Sequence, residues 1–178
     1  MLIPLGFLGT GVKAGFELIS TTVLASAAAT VTLTLPTGAS TTYKHLQLRA
    51  VMQVASGGPD AQLRFNGDSG ANYSWHIVFG NGTSPGTAVS SGTNQIGFGN
   101  ASSTANTYGA AVIDILDAFN TSKNKVTRSL YGSQANSTVG LWSGAWYNTS
   151  AISSITILNS SAVNYAVGTR FSLYGVRA

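Results

Sequence analysis

The chain has no cysteine, which excludes disulfides, thiolate nucleophiles and Cys-ligated metal sites. Charge is nearly as scarce: Asp, Glu, Lys and Arg make up 8% of the 178 residues, against about 25% in an average soluble domain. The acids number five, Glu17, Asp60, Asp68, Asp114 and Asp117, and the histidines two, His45 and His76. Acid–base catalysis needs titratable groups held together with shifted pKa values, and glycoside hydrolysis uses a pair of carboxylates. Asp114 and Asp117 are the close pair in sequence, and an odd spacing on a strand sends two side chains to opposite faces. These shortages argue against an enzyme. Long hydrophobic runs are also missing: the longest, Met1 to Leu8, is interrupted by Pro4 and Gly6, whereas a spanning helix needs about 20 apolar residues. The run has no basic residue ahead of it and makes a poor signal peptide.

What fills the chain is Ser, Thr, Asn and Gly (21 glycines) beside 44% hydrophobic residues. Disorder needs low hydrophobicity and high net charge; this mixture suits a β protein with a neutral polar surface and many turns. The formal net charge is +4, but the basic residues are scattered apart from Lys123, Lys125 and Arg128, and nucleic-acid binders gather theirs in a patch. That stretch reads as a solvated hairpin with cations on an edge. Neither nucleic acid nor membrane is an expected partner, and no cofactor is expected.

Strand signals run through the chain. Val31, Leu33 and Leu35 alternate with Thr30, Thr32 and Thr34, a period of two. Leu46, Leu48, Ala50, Met52 and Val54 share one face of the next strand, and Tyr73, Trp75, Ile77 and Phe79 one face of another. The segments AAVIDIL, KVTRSLYG, VGLWSGAWY, ISSITIL and RFSLYGV follow, separated by Gly- and Asn-rich turns. Many short strands with such punctuation predict a sandwich or barrel. Residues 80–107 read as a long loop excursion with a short strand inside, anchored by Ile96 and Phe98. In FNGDSG, residues 65–70, Asp68 with Asn66 resembles a fragment of a Ca²⁺ loop, but such sites want six to eight oxygens; an Asn-Gly turn is the favoured reading. Trp142, Trp146 and Tyr147 lie within six residues. On a strand, Trp142 and Trp146 share a face and Tyr147 takes the other. Core packing is their usual use; with Trp75 they are the candidate carbohydrate contacts, since an exposed ring beside Asn and Ser donors makes a sugar-stacking platform.

Five phrases in order carry a family likeness: FELISTTVL at 16–24, YKHLQLR at 43–49, LRFNGDSGANYSWH at 63–76, WYNTSAISSITI at 146–157 and GTRFSLYGVRA at 168–178. The set, with the leading MLIPLGFLG, resembles small bacteriophage virion structural proteins of the head-decoration or tail-fibre type, found in phages of aquatic bacteria. The likeness runs from Met1 to Ala178 and is weakest over 80–107. It implies an all-β, single antiparallel β-sandwich, jelly-roll-like, over residues 16–178, with an extended apolar N-terminal arm over 1–15. It further implies a virion location, other virion proteins (a major capsid or tail protein) as partners, and a homo-oligomer, a trimer being the form that suits three-fold positions. The arm, through Met1, Leu2, Ile3, Leu5, Phe7 and Leu8, is the expected docking segment on the particle or a neighbouring subunit, because an exposed apolar segment marks an interaction site. Two functions follow: a capsid decoration or cement protein that stabilises the shell, or a tail-fibre or receptor-binding protein that recognises host surface carbohydrate.

Overall fold

The computed structural model describes residues 15–57 and 60–177; the arm residues Met1 to Leu8 lie outside them. Among the described residues twelve strands form, in the order β1 (Phe16–Val23), β2 (Thr30–Thr34), β3 (His45–Met52), β4 (Asp60–Phe65), β5 (Tyr73–Gly80), β6 (Pro85–Thr93), β7 (Ile96–Asn100), β8 (Gly109–Leu116), β9 (Lys125–Ser133), β10 (Thr138–Trp146), β11 (Ser154–Asn159) and β12 (Arg170–Val176), with one helical turn, α1 (Ala39–Thr42). They make two sheets. The large one has the order β1-β12-β3-β8-β9-β10-β5-β6, the small one β2-β11-β4-β7, and every strand pairing is antiparallel. The all-β antiparallel sandwich is therefore what the chain forms.

The connectivity is that of a jelly roll with insertions. Setting aside β5, β6, β9 and β10 leaves eight strands. Numbered by rank along the chain, these run 1-8-3-6 in the large sheet and 2-7-4-5 in the small one, the paired Greek keys of that fold. The four inserted strands continue the large sheet past β8, so one sheet is twice as wide as the other.

Alternation decides which face each strand buries. Leu46, Leu48, Ala50 and Met52 of β3, Ile113 and Ile115 of β8, and Phe171 and Leu173 of β12 meet Leu63 and Phe65 of β4 and Ile155 and Ile157 of β11 in one fully buried core. The small sheet's edge strand β7 reads IGFGN and packs against β8, β9 and β10. Its glycines permit the approach: a Cβ on Gly97 would meet the Trp142 ring at 2.3 Å. The Ser129 hydroxyl then reaches across the layers to donate to the Phe98 carbonyl at 2.8 Å.

Two expectations are corrected. Residues 80–107 are not a loop with one short strand: they hold all of β6 and β7. β6, PGTAVSSGT, is an edge strand with a single partner, β5; its one large apolar residue, Val89, is exposed, and no apolar period enters its sequence. In the Lys123–Arg128 stretch Lys123 and Arg128 are solvated as expected, but β9 is no edge, since it lies inside the large sheet. Lys125 is 0% exposed; its ammonium donates to the carbonyls of Asn120, Lys123 and Thr149 at 2.7, 2.9 and 3.0 Å, and burial lowers its pKa. The Asn66-Gly67 turn forms as expected, with φ of 52° and 69°, and leads from β4 to β5, which belong to different sheets.

Candidate functional site

The predicted aromatic residues separate in the structure. Trp146 is 1% exposed; its ring packs on Phe65 and Tyr73 at centroid distances of 5.5 and 6.2 Å, leaving no free face for a sugar. Its indole N–H donates to Asp68 Oδ2 at 2.7 Å. That carboxylate also accepts from the Gly70 amide at 2.9 Å and from the Asn72 side chain, and its pKa is lowered, chiefly by the indole bond. Asp68 is thus a clasp tying the β4–β5 crossover to β10. No group of three or more metal-ligating His, Asp or Glu occurs among the described residues. Tyr147 is exposed, away from the other three, with its hydroxyl on Ser74 at 2.8 Å. Both of these positions explain the residues without a ligand.

Trp75 and Trp142 do come together. They sit edge to face, with centroids 4.9 Å apart and planes at 65°, on the inner face of the large sheet where the small sheet stops. There β10 and β5 are neighbours, with Trp142 opposite Ile77. The overhang leaves a pocket of about 210 Å³. Its apolar walls are Trp75, Ile77 and Phe79 of β5, Ala88 of β6, Tyr131 of β9 and Trp142 of β10; its polar rim is Asp60 of β4, Asn100 of β7 and Thr138 of β10. Two glycines make room for the rings. Any Cβ on Gly86 would fall 2.4 Å from the Phe79 ring, as one on Gly97 would from Trp142.

The electrostatics of the pocket are unusual for so neutral a chain. Asp60 and Asn100 face each other across the β4–β7 ladder, and the Asn100 amide donates to Asp60 Oδ1 at 3.3 Å, a long bond. Burial raises the Asp60 pKa. Burial and the nearby Asp60 charge push the Tyr131 phenol up to about 12, so it keeps its proton. Three buried side-chain atoms of the lining residues, Asn100 Oδ1, Thr138 Oγ1 and Trp142 Nε1, have no hydrogen-bond partner.

On the outer face of the same strands lies a second surface. Val112, Leu130, Leu141 and Val78 are directly opposite one another across β8, β9, β10 and β5. They form an in-register row, each 40–58% exposed. An open sheet face ordinarily alternates to polar residues, as this one does one row away. There the Gln47 amide donates to Asp114 at 2.9 Å and Arg128 pairs with Asp114 at 3.2 Å.

Comparison with protein-family models, with curated proteins and with solved structures finds no match to this chain. Its function is therefore argued from these two surfaces and from its sequence. The sequence singled out Trp75 and Trp142; it gave no sign of Asp60, Asn100, Tyr131 or Thr138, which reach the pocket from four different strands.

Proposed function

We propose that the protein is a non-enzymatic structural component of a bacteriophage particle, a capsid decoration or cement protein acting through its N-terminal arm and through contacts between copies. The observation that carries this reading is the apolar row Val112–Leu130–Leu141–Val78 on an open sheet face, since contiguous exposed apolar surface marks an interaction site. The occupant is a neighbouring copy of the chain. A surface meeting its own copy must avoid unbalanced like charge: Asp114 beside the row is neutralised by Arg128, and Arg49, opposite Val112 at the end of the row, lies over the Tyr174 ring. The sequence likeness to virion structural proteins, the jelly-roll order and the low charge all support the assignment. The copies assemble as a homo-oligomer, a trimer at three-fold positions, on the major capsid protein.

The test is to locate the chain in a cryo-EM map of its particle and to repeat the assembly without residues 2–11. Density at three-fold or quasi-three-fold shell positions, together with loss of decoration on arm deletion, supports the reading. Undiminished decoration by the truncated chain, or unchanged heat and osmotic resistance of bare particles, removes it. A second reading, a tail-fibre or receptor-binding protein for host surface carbohydrate, is favoured by the Trp75–Trp142 pocket; density at the tail would select it.

A further inference from the structure

Most of the molecule's unusual groups are already accounted for by structure. Lys125 is saturated by three carbonyls, and the Asp68 carboxylate by an indole, an amide and a backbone N–H. The pocket beneath the overhang is walled mainly by apolar side chains, and nothing in the structure shows what fills it. The outer face of the large sheet carries further, because its pattern can be laid against a copy of itself.

On that face β8, β9, β10 and β5 present rows of side chains in register. The upper row is Ala110–Gly132–Val139–Gly80. The middle row is the exposed apolar Val112–Leu130–Leu141–Val78. The lower row is Asp114–Arg128–Ser143–His76; Arg128 pairs with Asp114 near its β8 end, and His76 is exposed at its β5 end.

We propose that two copies of the chain stack these faces about a two-fold axis running along the strands between β9 and β10, so that Val112 of each meets Val78 of the other, Leu130 meets Leu141, and Asp114 meets His76. This rests on the reading of the row as a contact between copies, and fixes its symmetry and register. Such an axis turns β9 onto the partner's β10 and β8 onto the partner's β5 while every row keeps its level. Apolar residues then meet apolar residues. Val139, the bulky member of the upper row, comes over the partner's Gly132. In the lower row an imidazole N–H of His76 donates to the partner's Asp114 carboxylate, and Arg128 comes over the partner's Ser143. Arg49 and Thr87 continue the middle row on β3 and β6 and meet at the rim, where polar residues belong. Two sheets stacked with their strands nearly aligned is an ordinary packing.

Other two-folds fit less well. An axis across the strands, along the middle row, would lay Asp114 and Arg128 on the partner's Ala110 and Gly132, taking charges out of water without new partners. An axis along the strands between β8 and β9 would pair Asp114 with the partner's Arg128, but it would set Leu141 on the partner's Arg49 and Val78 on the partner's Ser172. A two-fold contact cannot close a trimer. On a particle it joins a copy in one three-fold cluster to a copy in the next, which is the bridge a cement protein makes.

The lack of native cysteine makes the test direct. Val112→Cys and Val78→Cys are placed in separate full-length chains and treated with a short bifunctional thiol reagent in concentrated solution, each alone and then mixed. The expected result is a cross-linked dimer from the mixture and far less from either chain alone, because like positions lie about three strand spacings, roughly 14 Å, apart across the axis. A dimer of Val112→Cys with itself would mean an axis across the strands and overturn the proposal. No mixed product would overturn it equally, as would mixed product only after residues 2–11 are removed, which would assign the row to the arm. Charge gives a second readout by sedimentation equilibrium. His76→Asp sets a carboxylate against the partner's Asp114 and should weaken association about tenfold, whereas Ser143→Asp, one strand away, meets the partner's Arg128 and should not weaken it; equal losses would overturn the pairing. Particle binding separates the two ideas. Cross-links absent with arm-dependent decoration intact would remove the two-fold and leave the decoration reading standing, while cross-links present with no density on the shell would do the reverse.

Discussion

The two halves of the large sheet are built from similar strands and bury them differently. In β1, β12, β3 and β8 the inner face lies under the small sheet, and Leu46, Leu48, Ile113 and Leu173 are wholly buried. In β9, β10, β5 and β6 the inner face is covered by β7 and, at Trp146 and Tyr73, by Phe65 of β4, while Trp75, Ile77 and Phe79 stay half-buried around a pocket. The first half supplies the stability that the second half spends on open surface. Hydrophobic stabilisation scales with apolar area removed from water, so a strand added to one sheet without a counterpart in the other adds surface faster than core.

The sharpest way to break this contrast is a pair of truncations. Leu48→Ala should cost about 2–5 kcal/mol, the usual range for a buried leucine, and Ile77→Ala at the overhang should cost less than half as much; urea unfolding of both variants checks it, and equal losses would mean that the extension carries its share of the core. Next in size are two changes at the junction of the halves. Gly97→Ala drives a methyl into the Trp142 ring and should cost about 1–3 kcal/mol by overpacking, with a changed near-ultraviolet circular dichroism spectrum. Asp68→Ala leaves the Trp146 indole N–H without its acceptor, at about 1–3 kcal/mol.

Smaller effects come from pH. The Asp68 pKa is lowered on folding. Its contribution is therefore present above the ordinary carboxylate range and lost as pH falls through the lowered value. The Asp60 pKa is raised, so its contribution has the opposite sign: it is present below that range and lost as pH rises through the raised value. Asp60→Asn should accordingly raise stability at neutral pH more than at acid pH, and thermal melts from acid to neutral pH should show a steeper gain than the parent. The smallest change in stability, within about 0.5 kcal/mol, is expected for Leu130→Ser on the outer row. Sedimentation should nonetheless show weakened self-association, and an unchanged oligomer would remove the row from the interface.

Much of the jelly roll is legible in the sequence because its strands have one dry face. The alternation of Leu46, Leu48, Ala50 and Met52 survives as burial, as does that of Val31 and Leu33. The extension is harder to read. β6 is an edge whose Ser, Thr, Gly and Ala residues pair through the backbone alone, so no apolar period betrays it. Lys125 looks like any surface cation until the loops that supply its three carbonyls are folded around it. Trp75 and Trp142 stand out by size, but whether a tryptophan is core or contact depends on the layer above it, and Trp142 and Trp146 share a strand face with different surroundings. Asp60 and Asn100 lie 40 positions apart in the chain and become a pair only through the β4–β7 register.

The place of β12 has a consequence for how the chain must fold. It lies between β1 and β3 in the large sheet, yet Thr21 of β1 and the Ser172 it bonds are 151 positions apart. While the polypeptide is being made, β1 and β3 are synthesised early with a strand-wide gap between them. The jelly-roll half cannot close until β12 has left the ribosome. Pairing over such separations carries a loop-closure cost that must be met before the contacts reward it. Folding is thereby made late and slow, with unpaired edges exposed in the interim, and in β1 and β2 those edges are interrupted by Ser20, Thr21, Thr22, Thr30, Thr32 and Thr34.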